Sequence, residues 1–151
     1  MQHTVTTHSP EETERFGLAI GQNMRGGEVV ELISDLGGGK TTFTRGLVAG
    51  LASPDTVMSP TFTVSREYSG GRLHVYHFDF YRLPDPGIIA DQVAEVAQDP
   101  DAVVVVEWAD AVHEVLPKDR VVIRIVTLGN FDRTLTVEYP ETMSHVVKDI
   151  L

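Results

Sequence analysis

"EVVELISDLGGGKTTFTRGL", residues 28–47, decides the fold. An apolar run leads into three consecutive glycines, then a lysine and two threonines. Phe43, Leu47 and Leu51 then recur at helical spacing. Glycine weakens helix and strand interiors alike, so three in a row mark a loop with an unusual backbone requirement. Residues 28–34 read as a short buried strand, and residues from about Lys40 to Leu51 as an amphipathic helix. Strand, glycine loop, helix is the context in which the phosphate-binding pattern G-x-x-x-x-G-K-[ST] works. Glycines let several backbone N–H groups turn toward one anion. The helix N-terminus adds unpaired donors and about half a positive charge. On this reading Lys40 reaches the β- and γ-phosphates of a nucleotide, and the Thr41 hydroxyl ligates Mg²⁺. Gly39, Lys40 and Thr41 fit the pattern. Ser34 stands at its first glycine and either tolerates that backbone geometry or shifts the loop. Taken alone, the stretch has a bland alternative, a flexible turn ending in a solvated lysine.

Working outward, "HTVTT" at 3–7 reads as a short strand. Ser9 is placed to cap a helix, with Pro10 at its first position and Glu12 closing a capping box. Phe16, Ile20 and Met24 form its apolar stripe, and glycines 26–27 end it. Downstream, "TVSREY" and "RLHVYHFDF" flank "SGG" and read as a hairpin. Residues 83–87 form a turn, and "IIADQVAEVAQ" is weakly helical. "AVVVVEW" at 102–108 is the clearest buried strand. "RVVIRIVTL" and "RTLTVEY" form a second hairpin, and the end from Glu141 is a short helix. The pattern predicts one domain, an α/β three-layer P-loop NTPase-like fold with a mixed central sheet and helices on both faces.

The bulk numbers narrow the function. Hydrophobic residues make up 42% of 151, enough for a core. No apolar run approaches the ~20 residues that span a bilayer, so no membrane association is expected. The first residues lack a basic region leading into an apolar one, so no signal peptide is expected. There are no cysteines, which excludes disulfides and thiol catalysis and suits a reducing cytosol. A cytoplasmic protein is therefore expected. The formal net charge of −10 argues against holding nucleic acid by general electrostatics. Phosphate must be gripped locally, and contact with RNA is expected mainly through a partner protein.

A phosphate loop needs acids from elsewhere in the fold. "HVYHFD" ends in Asp79 and "AVVVVE" in Glu107, both where a buried sheet would release a carboxylate at its rim. Four consecutive valines make Glu107 the sharper signal. A solvated strand-end acid is its alternative, and a bridge to Arg82 is the alternative for Asp79. His74 and His77 fall on opposite faces of one strand, so they cannot form a metal pair and read as packed or surface histidines. Trp108 reads as core or partner contact. Met58 to Phe62 follow the glycine-loop helix. Thr61 there either senses the γ-phosphate or belongs to a plain Ser-Pro turn.

Together "SDLGGGKTTFTRGL", "SPTFTVSREY", "HFDFYRL" and "VVVEW", in this order, resemble the bacterial tRNA threonylcarbamoyladenosine biosynthesis ATPase family (TsaE). That family's pattern is similar to G-D-L-G-A-G-K-T-T, S-P-T-F-T, H-x-D-x-Y-R-L and V-E-W, and the match runs from about Ser9 to Trp108. The resemblance implies binding of ATP and ADP with Mg²⁺ and slow ATP hydrolysis. It implies assembly with the TsaB–TsaD transferase pair, which modifies adenosine 37 of tRNAs reading codons that begin with A, with hydrolysis resetting that complex. It further implies that Gly37, Gly38, Gly39 and Lys40 cradle phosphate, that Thr41 and Glu107 hold Mg²⁺, and that Thr42 sits at the α-phosphate. Asp79 takes the Walker-B-like role and orders the attacking water. Ser59, Pro60, Thr61, Phe62 and Thr63 resemble the switch segment, and Ser9, Pro10 and Arg133 approach the nucleotide. Lys40, Asp79 and Glu107 are thus the expected catalytic set. Residues 85–98 depart from the family's acidic segment, a region that faces partners. Two other classes stay open: a small-molecule kinase, against which the absence of an arginine-rich lid argues, and a scaffold that nucleotide orders without turnover.

Overall fold

Each apolar run found its partners in one seven-stranded sheet. The computed structural model describes residues 1–35, 37–57, 64–83 and 85–150. The strands are β1 (Gln2–Thr7), β2 (Val29–Ile33), β3 (Ser65–Tyr68), β4 (His74–Asp79), β5 (Ala102–Glu107), β6 (Val121–Gly129) and β7 (Asp132–Glu138). The helices are α1 (Pro10–Asn23), α2 (Lys40–Gly50) and α3 (Ile88–Val96), with 3₁₀ segments at Ala109–Val115 and Glu141–Val147. The sheet order is β1-β7-β6-β2-β5-β4-β3. Strands β4, β5, β2 and β6 run parallel, whereas β3, β7 and β1 are antiparallel to their neighbours.

The two faces follow from strand alternation. On β5, Val103 and Val105 join a core with Phe16, Ile20, Phe43 and Leu47 of α1 and α2. Val104 and Val106 join a second core with Val93 of α3 and Val112 of the 3₁₀ segment. All six residues of β5 are buried, as a strand covered on both faces requires. The fold is thus the expected mixed sheet with helices on both faces.

Two local devices place the glycine loop. Ser9 caps α1, its Oγ accepting the Glu12 amide at 3.2 Å. Glu12 reaches back past the cap residue and accepts the His8 amide at 2.8 Å, a shifted form of the expected capping box. α1 ends at Asn23, before the glycines. Helices α1 and α2 also pack very closely. A Cβ on Gly21 would lie 2.2 Å from the Leu47 carbonyl oxygen, and one on Gly46 2.0 Å from that of Glu14. Only glycine admits this approach, which fixes the start of α2 over the sheet. The tail from Glu141 is 3₁₀ with a non-helical Met143 inside it, and the 3₁₀ turn at Ala109–Val115 had no sequence expectation.

Candidate functional site

The parallel strands release their C-termini along one edge, where crossover loops gather side chains from separate segments. β2 ends there at Ile33 and feeds the glycine loop. Leu32 of β2 stands opposite Glu107 of β5, and Glu107 stands opposite Asp79 of β4. The two acids picked from separate strands are therefore neighbours across one ladder, beside the loop. Both are buried.

The loop has the conformation its glycines allow. Gly37 has φ +74° and Gly39 φ +108°, the left-handed region that favours glycine. Gly39 is the N-cap of α2 and offers no side-chain cap, so the first amides of the helix stay available to an anion. Gly38 has a different reason to be glycine. A Cβ there would lie 1.8 Å from the Ser34 Oγ and 3.0 Å from the Asp35 carbonyl oxygen. Ser34 does not adopt a positive φ, so serine carries this backbone without strain. Its hydroxyl donates to the Asp35 carbonyl at 3.1 Å and fills the space over Gly38. Serine at 34 and glycine at 38 are a matched pair where the family pattern has glycine and alanine.

Lys40 is buried and folds back on the loop, donating to the carbonyls of Ser34 at 3.1 Å and Asp35 at 3.4 Å. Its ammonium lies 4.9 Å from the ring centroid of Trp108, a cation–π distance. Trp108 follows Glu107 directly and is left-handed, at φ 55° and ψ 55°. That conformation costs a non-glycine residue about 1–2 kcal/mol and turns the indole back over the site. Tyr81 packs against it, ring centroids 5.0 Å apart. Trp108 is 36% exposed and thus a wall of the site, which sets aside the core reading and leaves that of partner contact.

The remaining expected residues arrive from both ends of the chain. Pro10, Gly39, Thr42 and Arg133 line one cavity of about 40 Å³ together with Thr13 and Phe131. Ser9 is the neighbouring cap residue. Arg133 Nε donates to the Gly38 carbonyl at 3.1 Å, and its Nη1 donates to the carbonyls of Asn130 and Asp132. The arginine braces the loop from the β6–β7 hairpin. Asp79 accepts the Tyr81 amide at 2.9 Å. Thr41 is the second residue of α2 and half-buried. The switch residues Ser59, Pro60, Thr61, Phe62 and Thr63 lie outside the described residues.

Sequence reasoning passed over one residue of the site. His77 is fully buried on β4, and its Nε2 lies 2.5 Å from Glu107 Oε2. The available signal was period two: His77 shares a strand face with Asp79. His74, on the other face, is only partly buried. Among the described residues no group of three or more His, Cys, Asp or Glu could hold a metal ion. The oxygen donors at this edge are carboxylates and the Thr41 hydroxyl. So sparse a set fits Mg²⁺, which keeps several waters and takes substrate phosphate oxygens where Ca²⁺ or Zn²⁺ would need a protein cage.

Comparison with known proteins gives one answer. Residues 7–135 match the family model described as threonylcarbamoyl adenosine biosynthesis protein TsaE. A tRNA threonylcarbamoyladenosine biosynthesis protein TsaE of Bacillus subtilis is 39% identical over 130 residues, covering 86% of this chain and 81% of that protein. One of Treponema pallidum is 37% identical over 131 residues, covering 87% and 96%. The crystal structure of Bacillus subtilis YdiB superposes with a TM-score of 0.80 at 31% identity, covering 99% of this chain and 93% of that one. A glycine loop and two acids at one sheet edge, with a match over most of the length, lead to the same conclusion: this chain belongs to the TsaE family of tRNA threonylcarbamoyladenosine biosynthesis proteins.

Proposed function

We propose that this chain is a Mg²⁺-dependent P-loop ATP hydrolase that works with a TsaB–TsaD-like transferase complex in forming threonylcarbamoyladenosine at adenosine 37 of tRNA, hydrolysis driving that complex's turnover. One observation carries the reading: the glycine loop, Lys40, Asp79 and Glu107 share the C-terminal edge of the parallel strands, with Asp79 and Glu107 opposite one another.

The residues divide the work as follows. Amides of Gly37, Gly38 and Gly39 and the first turn of α2 hold the phosphate chain, with Thr42 at the α-phosphate. Lys40 exchanges its carbonyl partners for β- and γ-phosphate oxygens and stabilises charge as the γ-phosphoryl departs. Asp79 orients the attacking water. Thr41 and Glu107 hold Mg²⁺, which when bound neutralises charge on the phosphate oxygens. Arg133 and Pro10 border the nucleotide from the hairpin and from α1. The tRNA is contacted mainly through the partners, consistent with a net charge of −10. No helix among the described residues is long and apolar enough to cross a membrane. We place the activity in the cytoplasm, where a chain without cysteines loses nothing to a reducing environment.

The test is calorimetric titration with ATP and Mg²⁺, followed by phosphate release with and without the TsaB–TsaD-like partners and tRNA. Binding with heat and turnover that rises with partners is expected. No binding would remove the reading. Modification proceeding through many rounds with a non-hydrolysable ATP analogue would reduce the chain to a nucleotide-ordered scaffold.

A further inference from the structure

We propose that His77 is the positioning residue of Glu107, holding one carboxylate oxygen so that the other is presented to Mg²⁺. The inference rests on reading Glu107 as a Mg²⁺ ligand. Three buried groups form a row beneath the site. The Tyr68 hydroxyl lies 3.5 Å from His77 Nδ1, and His77 Nε2 lies 2.5 Å from Glu107 Oε2. Tyr68, His77 and Glu107 are 2%, 0% and 3% exposed, so water does not compete for these contacts.

The geometry follows from register. His77 stands opposite Val105 and Asp79 opposite Glu107, so all four side chains share one face of the sheet. His77 therefore reaches diagonally, one pair back from the rim, and meets Glu107 from the core side. In the tautomer with its proton on Nε2, His77 donates to Oε2 and offers Nδ1 as an acceptor toward the Tyr68 hydroxyl. Among the described residues Glu107 has no other side-chain partner. Oε2 is committed to His77, and no side-chain partner among the described residues holds Oε1.

This arrangement does what outer partners of metal-binding carboxylates do: it fixes the rotamer before the metal arrives. A glutamate has three rotatable bonds, and an unheld one would have to be ordered at binding. His77 is fully buried behind Glu107, so it acts through that carboxylate.

The experiment titrates AMP-PNP, a non-hydrolysable ATP analogue, into the full chain and its His77→Leu, His77→Gln and Tyr68→Phe variants, by calorimetry, across Mg²⁺ concentrations and in EDTA. Affinity in EDTA should be equal in all four. The Mg²⁺ concentration giving half of the metal-dependent gain should rise about 10–100-fold in His77→Leu. Gln restores a donor at similar reach and should return it to within about threefold of the parent. Tyr68→Phe should shift it by about two- to fivefold in the same direction. A His77→Leu protein that folds and answers Mg²⁺ like the parent overturns the proposal, as does a His77→Gln protein no better than His77→Leu. If His77→Leu does not fold, an unchanged Mg²⁺ response in Tyr68→Phe overturns it. A parent chain that binds AMP-PNP without any Mg²⁺-dependent gain removes the metal reading of Glu107 before any variant is made.

Discussion

Two buried glutamates lie at opposite ends of the parallel strands, each paired with a histidine, and their carboxylates are committed to different extents. Glu28, 2% exposed, sits just before β2. Its carboxylate accepts the Arg25 amide at 2.7 Å, the Gly26 amide at 2.8 Å and His145 Nε2 at 3.0 Å. Glu107, 3% exposed, ends β5 and has one side-chain partner among the described residues, His77. Glu28 is closed on both oxygens and ties the C-terminal 3₁₀ segment to the start of the sheet. Glu107 is closed on one oxygen and sits beside an open anion loop. Burial alone does not distinguish the two acids; the count of committed lone pairs does.

The comparison breaks most readily at the loop end. Lys40→Ala should lower nucleotide affinity or turnover by about 1000-fold, because a buried donor to developing phosphate charge is lost. Isothermal titration and phosphate release would measure it, and turnover equal to the parent's would remove the loop from the mechanism. Glu107→Ala should cost about 100-fold in Mg²⁺-dependent hydrolysis. Asp110→Ala, an exposed acid three residues away, should change it by no more than about twofold. If the two variants behave alike, Glu107 is a strand-end acid and nothing more.

At the other end the expected loss is in stability. Glu28→Ala orphans two backbone amides and a histidine donor and should cost about 2 kcal/mol, lowering Tm by about 4–8 °C with nucleotide affinity unchanged. A loss of nucleotide binding in the folded variant would mean the two ends are coupled. Gly38→Ala should weaken nucleotide binding by about tenfold, since its methyl group collides with Ser34 Oγ. Ser34→Gly in the same chain should recover it, and failure to recover would show that the Asp35 carbonyl sets the limit.

The smallest effect is in pH. Burial works against the Glu28 charge, but the Arg25 amide, His145 and the Gly26 amide outweigh it and hold the carboxyl below its ordinary 4.5. The folded value lies under the unfolded one. The carboxylate's share of stability is therefore complete above pH 4.5 and is lost as pH falls through the depressed folded value. Urea midpoints of the parent and Glu28→Gln should differ at pH 7 and converge in acid. A gap that widens on acidification would reverse the assignment.

Residues 28–51 alone determined the strand, the glycine loop and the helix. Their signals are local: apolar periodicity, left-handed glycines and a helix start are written within a few residues of where they act. The cap at Ser9 and both hairpins were legible for the same reason. Only the tertiary structure decided that Asp79 and Glu107 stand opposite one another, that Arg133 braces Gly38 and that Trp108 lies over Lys40. His77 reads as a packed or surface histidine until β4 is laid beside β5 in register. Those relations depend on which strands pair and at what offset. That choice is made by the buried surfaces of the whole chain together, and no short stretch of it carries that information.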